Sequence, residues 1–499
     1  MVLRLLLIGL MLALALGFCS GEAFASMLHL EGGIANEQDY REVFWLTGRP
    51  ILLTGSVRET ITTGRDGSVT YRLTYTNLGN QEHKIAVTRT LTFVTTQEPK
   101  DNQQISVTRL TSYRETISVD KDRYVLEDYQ FAHSAIADRQ PVVGYHSANW
   151  TARKTYNLNR NAGRVVVETW GSSVGYRHNW GETATHRIDG TVNFTGKVTA
   201  GNSQQESSWA GSFQLMLSNN HSRRLEYQPN LPSQISFAGG YLEVRQDTGT
   251  LQYTSNLPDL ENGLVQDSRR LQSTGSHQLT GLPRQKRLPV PLLRDIQGHW
   301  AMEDVLSLAS LGAFPGAGAY FGPRLPMLRG DFAAALVTVT GLSLPQPPAA
   351  PRRGARAAPE PEQPIFADVP ITDTFYRHYQ AVFQAGLMQG TGPGLFSPQQ
   401  ALTRAQAITI LVRALGLKHT DLATQGQTPF RDDAAIPPWA RDAVTVGYRL
   451  GLVMGNEDGF VLPNQVLSRA EASALLSRFI RYLQTEMKAE YRERILHFR

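Results

Sequence analysis

Three stretches of the chain carry a proline followed six residues later by an arginine: Pro323 and Arg329, Pro398 and Arg404, Pro463 and Arg469. Upstream of each lies a glycine pair, Gly312/Gly316, Gly386/Gly390 or Gly451/Gly455, and before that an aspartate, Asp295, Asp368 or Asp432. A spacing kept three times over constrains the fold strongly, because repeats of this length are single supersecondary units. Between aspartate and glycines the pattern is an amphipathic helix, with Val305, Leu308 and Leu311 on one face in the first copy and Tyr379, Val382 and Phe383 in the second. The first glycine of each pair is placed to end that helix in the left-handed conformation. Past the proline a second helix starts, where Thr403 or Ser468 can cap and Gln406 or Glu471, three residues on, completes a capping box. A two-helix unit is too small to bury its own core, so the three copies are predicted to associate.

The capping box leaves the arginine unexplained. A cation in the first turn of a helix opposes the macrodipole. One reading is anion recognition, in which free N–H groups at the helix start and a guanidinium fork together hold a carboxylate or phosphate. The other is an ion pair with an acidic residue of the next repeat. Both stand open on the residues alone.

With "LRDIQGHWA" (Leu293 to Ala301), "IFADV" (Ile365 to Val369), "GLMQGTGPGLFSPQQALTRAQA" (Gly386 to Ala407) and "GLVMGNEDGFVLPNQVLSRAEA" (Gly451 to Ala472), the region from about 291 to 482 resembles three tandem S-layer homology (SLH) domains. The resemblance implies an all-α pseudo-threefold bundle that binds secondary cell-wall polysaccharide attached to peptidoglycan, often through an acidic pyruvylated sugar. It also implies that the motif arginine contacts that sugar, which here means Arg404, Arg469 and Arg329. Trp300 and Trp439 match a tryptophan of the family and are candidates to line grooves or to anchor the core. The first copy departs from the pattern: Leu328 cannot cap, Gly330 weakens the turn, and Asp331 stands at the acid position. In the second copy Thr374 falls where the tryptophan belongs. A cell wall of the Gram-positive type and self-assembly at the surface belong to the same implication.

The remainder is read from patterning. Arg4, an apolar run from Leu5 to Leu16 and Ala23-Phe24-Ala25 describe a secretory signal peptide over residues 1–25. The single cysteine, Cys19, falls inside it, which leaves no thiol for metal binding or catalysis in a mature chain. Phe18 before it argues against lipid attachment. The formal net charge of +5 is small for 499 residues and no basic block stands out, so nucleic acid is not an expected partner. No later segment has the apolar length of a membrane span.

From 26 to 285 the grammar is all-β, with alternation in "SVTYRLTYTN" (Ser68 to Asn77), "KIAVTRTLTFV" (Lys84 to Val94) and "TVNFTGKVTA" (Thr191 to Ala200). Many short strands in an antiparallel, sandwich-like or layered fold are expected. "SVRETI" (Ser56 to Ile61) and "SYRETI" (Ser112 to Ile117) echo each other as chance or as equivalent edge strands. The predicted boundaries are repeats at 291–344, 365–420 and 428–482, a Pro-rich insertion at 345–364 and a helical tail at 483–499.

No catalytic signature is found. The histidines lack metal-ligand spacing, no G-x-S-x-G turn occurs, and carboxylates such as Glu127 and Asp128 form no recognisable pair. The expected function is therefore a wall-anchored surface protein without cofactor or metal, whose β region is structural or envelope-associated. The alternatives are a carbohydrate-binding protein or a polysaccharide-acting hydrolase. Trp150, Trp170, Trp180 and Trp209, with Tyr145 and Tyr176, are the aromatics that would build a sugar platform if they do not fill the core.

Overall fold

The computed structural model describes residues 27–487 apart from 101, 201–202, 231–238, 262, 317, 347–361 and 417–426. The expected signal peptide, most of the Pro-rich insertion and the end of the tail (488–499) lie outside the described residues.

The N-terminal region is one antiparallel sheet. Its strands are β1 (Gly33–Ala35), β2 (Tyr40–Phe44), β3 (Ile51–Thr63), β4 (Val69–Asn80), β5 (Ile85–Lys100), β6 (Gln103–Val119) and β7 (Asp122–Arg139). They continue as β8 (Gly144–Leu158), β9 (Gly163–His178), β10 (Gly181–Ala200), β11 (Ser203–Gln228), β12 (Gly240–Glu261), β13 (Leu264–Thr280) and β14 (Arg284–Arg287). From β1 to β13 each strand pairs with its neighbour in sequence, and β14 returns to β12. The all-β antiparallel expectation holds, with a correction. The strands are long, β11 alone having 26 residues, and they form one continuous curled sheet in place of two packed ones. The short patterned runs are parts of longer strands, continued through bulges at Thr54/Ser56, Thr74/Leu78, Thr92/Phe93 and Leu126/Asp128. Bulges bend a strand and raise its twist, which lets a single sheet curl. The echoed segments sit in β3 and β6, both inside the meander, so neither is an edge.

Alternation sets the polarity of the curl. In β5, Ile85, Val87, Leu91 and Phe93 point inward, while Ala86 and Thr88 face out. The ends of the sheet meet around one core, where Ile34 and Tyr40 of the first strands join Leu251, Leu257 and Leu279 of the last. The Arg41 guanidinium on β2 donates to the Gln278 carbonyl on β13 at 3.1 Å. With its apolar side inward and polar side outward, the sheet has the opposite polarity to a membrane-spanning barrel. Among the described residues no helix is long and apolar enough to cross a membrane.

The C-terminal region contributes six α-helices among the described residues: α1 (Met302–Ser310), α2 (Arg329–Thr340), α3 (Tyr376–Gln384), α4 (Arg404–Ala414), α5 (Pro438–Arg449) and α6 (Arg469–Arg481). Gly312, Gly386 and Gly451 follow α1, α3 and α5 at φ 80°, 69° and 68°, as the helix-ending role requires. Both predicted capping boxes form, at Thr403/Gln406 and Ser468/Glu471, and Leu328 offers no cap. Three backbone bonds link the repeats in a closed ring: Met327 N–H to Leu467 C=O at 2.8 Å, Leu467 N–H to Leu402 C=O at 2.9 Å, and Leu402 N–H to Met327 C=O at 2.9 Å.

The two regions share a core. Val142, Val143, Tyr176 and Trp180 of the sheet pack in the same buried cluster as Leu336, Val339 and Leu415 of the helices. The Trp180 indole donates to the Val339 carbonyl at 2.8 Å, and the Arg223 guanidinium lies over its ring at 4.6 Å. Truncating a buried tryptophan costs about 3–5 kcal/mol. Trp180→Ala is expected to lower the urea midpoints of the β and helical signals together in circular dichroism of the full chain, whereas loss of the β signal alone would mean the halves are uncoupled.

The sheet also buries histidines. Burial pushes His133 and His146 down to about 4, with Arg177 adding to the effect at His146, and it outweighs a hydrogen bond to the Gly33 carbonyl to bring His29 to about 4 as well. His186 is lowered by burial and by its neighbours His29, His146 and His133. Above pH 6.5 these imidazoles are neutral in both states and the full stability is present. As pH falls from 6.5 to about 4 the unfolded chain takes up protons that the folded chain excludes, so stability declines. Each group steepens that decline by up to about 1.4 kcal/mol per pH unit. Urea midpoints between pH 7.5 and 4.5 are expected to fall steadily, and His186→Phe to flatten the slope.

Candidate functional site

The backbone bonds of the junction between repeats come from the segment that runs from the proline to the residue just after the arginine. The N–H of Arg329 donates to the Gln400 carbonyl and that of Gly330 to the Pro398 carbonyl, both at the start of the next repeat's segment. Arg404 and Ala405 donate likewise to Gln465 and Pro463, and Arg469 and Ala470 to Leu325 and Pro323. The proline and the residue two beyond it accept, the residue four beyond joins the ring, and the residue six beyond is the arginine. An inserted residue would put these groups out of step, which explains why the spacing does not vary.

These bonds overturn the expectation of free N–H groups at the helix starts. The first backbone N–H groups of α4 and α6 are not free for an anion. In α4 the first two go to the neighbouring repeat and the third, from Gln406, goes to Thr403 Oγ1 at 3.4 Å. What each junction has left to offer is the guanidinium.

The three guanidinia all reach into the following repeat but meet different surroundings. Arg329 is 6% exposed, donates from Nη2 to the Gln389 carbonyl at 2.7 Å and from Nε to the Phe396 carbonyl at 3.2 Å, and lies over the Phe396 ring. Arg469 pairs with Asp331 of the first repeat at 2.7 Å and lies 4.7 Å from the centre of the Phe321 ring. Arg404 donates to the Met454 carbonyl at 3.2 Å and stands 3.7 Å from Glu471. The position of Phe321 and Phe396 is Val461 in the third repeat, so the junction holding Arg404 lacks the ring. Its buried Nε, like that of Arg469, has no hydrogen-bond partner among the described residues. Burial lowers its pKa against the pull of Glu471, and nearby Arg478 adds to the lowering. The ion-pair reading thus describes Arg469 well and Arg404 loosely. Arg329 faces the repeat whose acid position is Gln406, and it rests on carbonyls instead.

Trp300 and Trp439 are 65% and 54% exposed, so neither anchors the core. Trp439 is the second residue of α5, and Trp300 leans on the His299 ring just before α1.

Sequence reasoning located Asp295, Asp368 and Asp432 without a role for them. Each carboxylate accepts two consecutive backbone N–H groups: Phe321 and Gly322, Phe396 and Ser397, Val461 and Leu462, at 2.6 to 2.9 Å. The second residue of each pair precedes the proline and is left-handed, with φ of 70° at Gly322, 56° at Ser397 and 54° at Leu462. A side chain other than glycine resists that conformation, and the aspartate holds it. At Asp295 burial opposes the charge, and the two N–H donors outweigh it and keep the pKa below the usual carboxylate range.

A second cluster lies inside the sheet. Arg89 bridges Glu42 at 2.6 Å and Glu115 at 2.7 Å, while Lys154 pairs with Glu31 and Glu115. Burial works against the Glu115 charge, and Arg89 and Lys154 overcome it, holding the pKa at about 2. The adjoining cavity is about 90 Å³, room for a few waters. These carboxylates are spent on cations rather than facing each other across an open cleft. Glu127 and Asp128 are apart from them, bonded to Asn157 and Gln130. Among the described residues no group of three or more His, Cys, Asp or Glu side chains could hold a metal ion.

The S-layer homology domain model matches the chain at residues 293–333, 365–408 and 429–473. Over 207 residues the chain is 25% identical to exoglucanase XynX of Acetivibrio thermocellus, covering 40% of this chain and 17% of that one. It is 30% identical over 129 residues to an endoglucanase of Bacillus sp. (strain KSM-635), covering 26% and 13%. With S-layer protein EA1 of Bacillus anthracis it shares 28% identity over 182 residues, covering 36% and 19%. The chain spans less than a fifth of the length of these relatives. The C-terminal region therefore carries three tandem S-layer homology domains.

Removing the Asp432 carboxylate leaves two N–H groups unmet and a left-handed leucine unheld. Asp432→Ala is expected to cost about 2–4 kcal/mol in urea unfolding of the helical signal. A loss below 0.5 kcal/mol would show that the clamp is dispensable.

Proposed function

We propose that this chain is a secreted surface protein held non-covalently at the cell wall by its three C-terminal repeats, which bind an acidic, pyruvylated secondary polysaccharide. The proposed layout is a signal peptide over 1–25, a β region over 26–285 and repeats over 291–344, 365–420 and 428–482, with a Pro-rich insertion at 345–364 and a tail at 483–499. The repeats form a pseudo-threefold bundle about the ring of Met327, Leu402 and Leu467, and the β region projects from it as a structural, envelope-associated unit.

The carrying observation is the unequal compensation of the three guanidinia. Arg404 has the longer of the two ion pairs, no aromatic ring and a second cation, Arg478, in its field. A ligand carboxylate there gains a charge-assisted bond from a guanidinium that its own acid partner holds only at a distance. Arg469 takes a ligand carboxylate only in competition with Asp331. Arg329 is consumed by the fold, so the first junction is closed to sugar. Trp439 and Trp300, exposed beside helix starts, offer aromatic surfaces to sugar rings.

The test is binding of the full chain to purified wall sacculi with and without their attached polysaccharide. Arg404→Ala is expected to weaken binding at least tenfold with the helical signal intact, and Arg404→Ala with Arg469→Ala to abolish it. Arg329→Ala is expected to act on stability, by about 2–4 kcal/mol, through the carbonyls it abandons. Undiminished binding by the double variant would sink the site assignment, and equal binding to stripped sacculi would sink the ligand.

A further inference from the structure

The five tryptophans of the β region do not share one environment. Trp45, Trp150, Trp180 and Trp209 are buried, and Trp170, in the middle of β9, is 49% exposed on the outer face of the sheet. We propose that this outer face is a binding platform for a neutral, linear, β-linked polysaccharide, separate from the arginine junctions.

Register carries the argument. Trp170 lies opposite Asp189 on β10, Asp189 opposite Gln214 on β11, Gln214 opposite Thr254 on β12, and Thr254 opposite Thr274 on β13. Directly opposed residues point to the same side of a sheet, so the five form one row across five strands. Four strand steps make the row about 19 Å long, the reach of several linked sugar rings. These residues line a shallow trough of about 430 Å³ on the outer surface. The indole supplies a flat apolar face at one end, and a carboxylate, an amide and two hydroxyls follow it.

The polar groups are held in place. Asp189 accepts from the Gln214 amide at 2.7 Å and from Arg187 Nε at 3.1 Å, which fixes the carboxylate and leaves the Gln214 carbonyl oxygen to accept. Arg187 cancels the charge of Asp189, and Arg270, farther along, is occupied by Asn256 and the Ala210 carbonyl. The trough is thus close to neutral, polar and rigid.

The chemistry narrows the occupant. A pyranose has an apolar C–H face that stacks on indole and equatorial hydroxyls that exchange hydrogen bonds with side chains of mixed donor and acceptor character. A nucleic acid needs unpaired cations, which this row lacks. An added peptide strand needs a sheet edge, and this is a face. A lipid surface needs a contiguous apolar patch, and Trp170 is the one apolar side chain of the row. Among glycans, β-1,4-linked chains are extended and flat, with a ring face for the indole at one end and a line of hydroxyls for the polar side chains that follow it.

The experiment titrates the full chain with the hexamers of β-1,4-linked glucose, xylose and N-acetylglucosamine, following tryptophan fluorescence and heat. At least one hexamer is expected to bind saturably below millimolar concentration. Trp170→Ala should weaken that binding at least tenfold with an unchanged circular dichroism spectrum, and Trp170→Tyr should restore most of it. Arg404→Ala with Arg469→Ala should leave it intact, which separates this platform from wall anchoring. No saturable binding of any hexamer by the native chain, or equal binding by Trp170→Ala, would overturn the proposal.

Discussion

Three backbone hydrogen bonds, passed around Met327, Leu402 and Leu467, are what the helical region is built on. Each of these residues donates to one repeat and accepts from another, so no repeat completes its own hydrogen bonding. The helix starts on either side repeat the arrangement, with their first two N–H groups satisfied by the neighbour's proline segment. Buried backbone groups must be paired, and here only association pairs them. The apolar faces of α1 to α6 then have a fixed geometry to fill.

That dependence also explains why the arginines diverge. A guanidinium at a helix start is delivered into the adjoining repeat by the same backbone links, whatever waits there. In the first junction it meets carbonyls and a ring and is absorbed into the structure. In the junction closed by Asp331 it meets a carboxylate. In the one formed with the third repeat it meets Val461 in place of phenylalanine and a more distant Glu471, and stays incompletely satisfied. One sequence motif thus yields three electrostatic outcomes, decided by the facing residues rather than by the motif.

Much of the helical region was legible in the sequence because its signals are local. Capping boxes, glycine stops and the fixed proline-to-arginine distance each report on a few neighbouring residues. The aspartate clamps were visible as a repeated residue but not as a function, since their partners lie 26 to 30 positions away. Free N–H groups at the helix starts were a reasonable local inference that tertiary pairing overrode. In the β region the alternation revealed strands and hid their length, because bulges interrupt the period without ending the strand. Whether Trp170 or Trp150 faces outward depends on register, which no single run reveals.

The shared core around Trp180 has a mechanical side. A surface unit tethered to a wall through one connecting segment would transmit shear through that segment alone. Here the sheet grips the helices at Val339 through the Trp180 indole and at Arg223 through Gln484, in parallel with the covalent path after β14. Load applied to the far strands is divided among several bonds pulled together, so they must fail in concert rather than one after another. The joint behaves as a weld rather than a hinge, and the orientation of the β surface is fixed by whatever fixes the repeats.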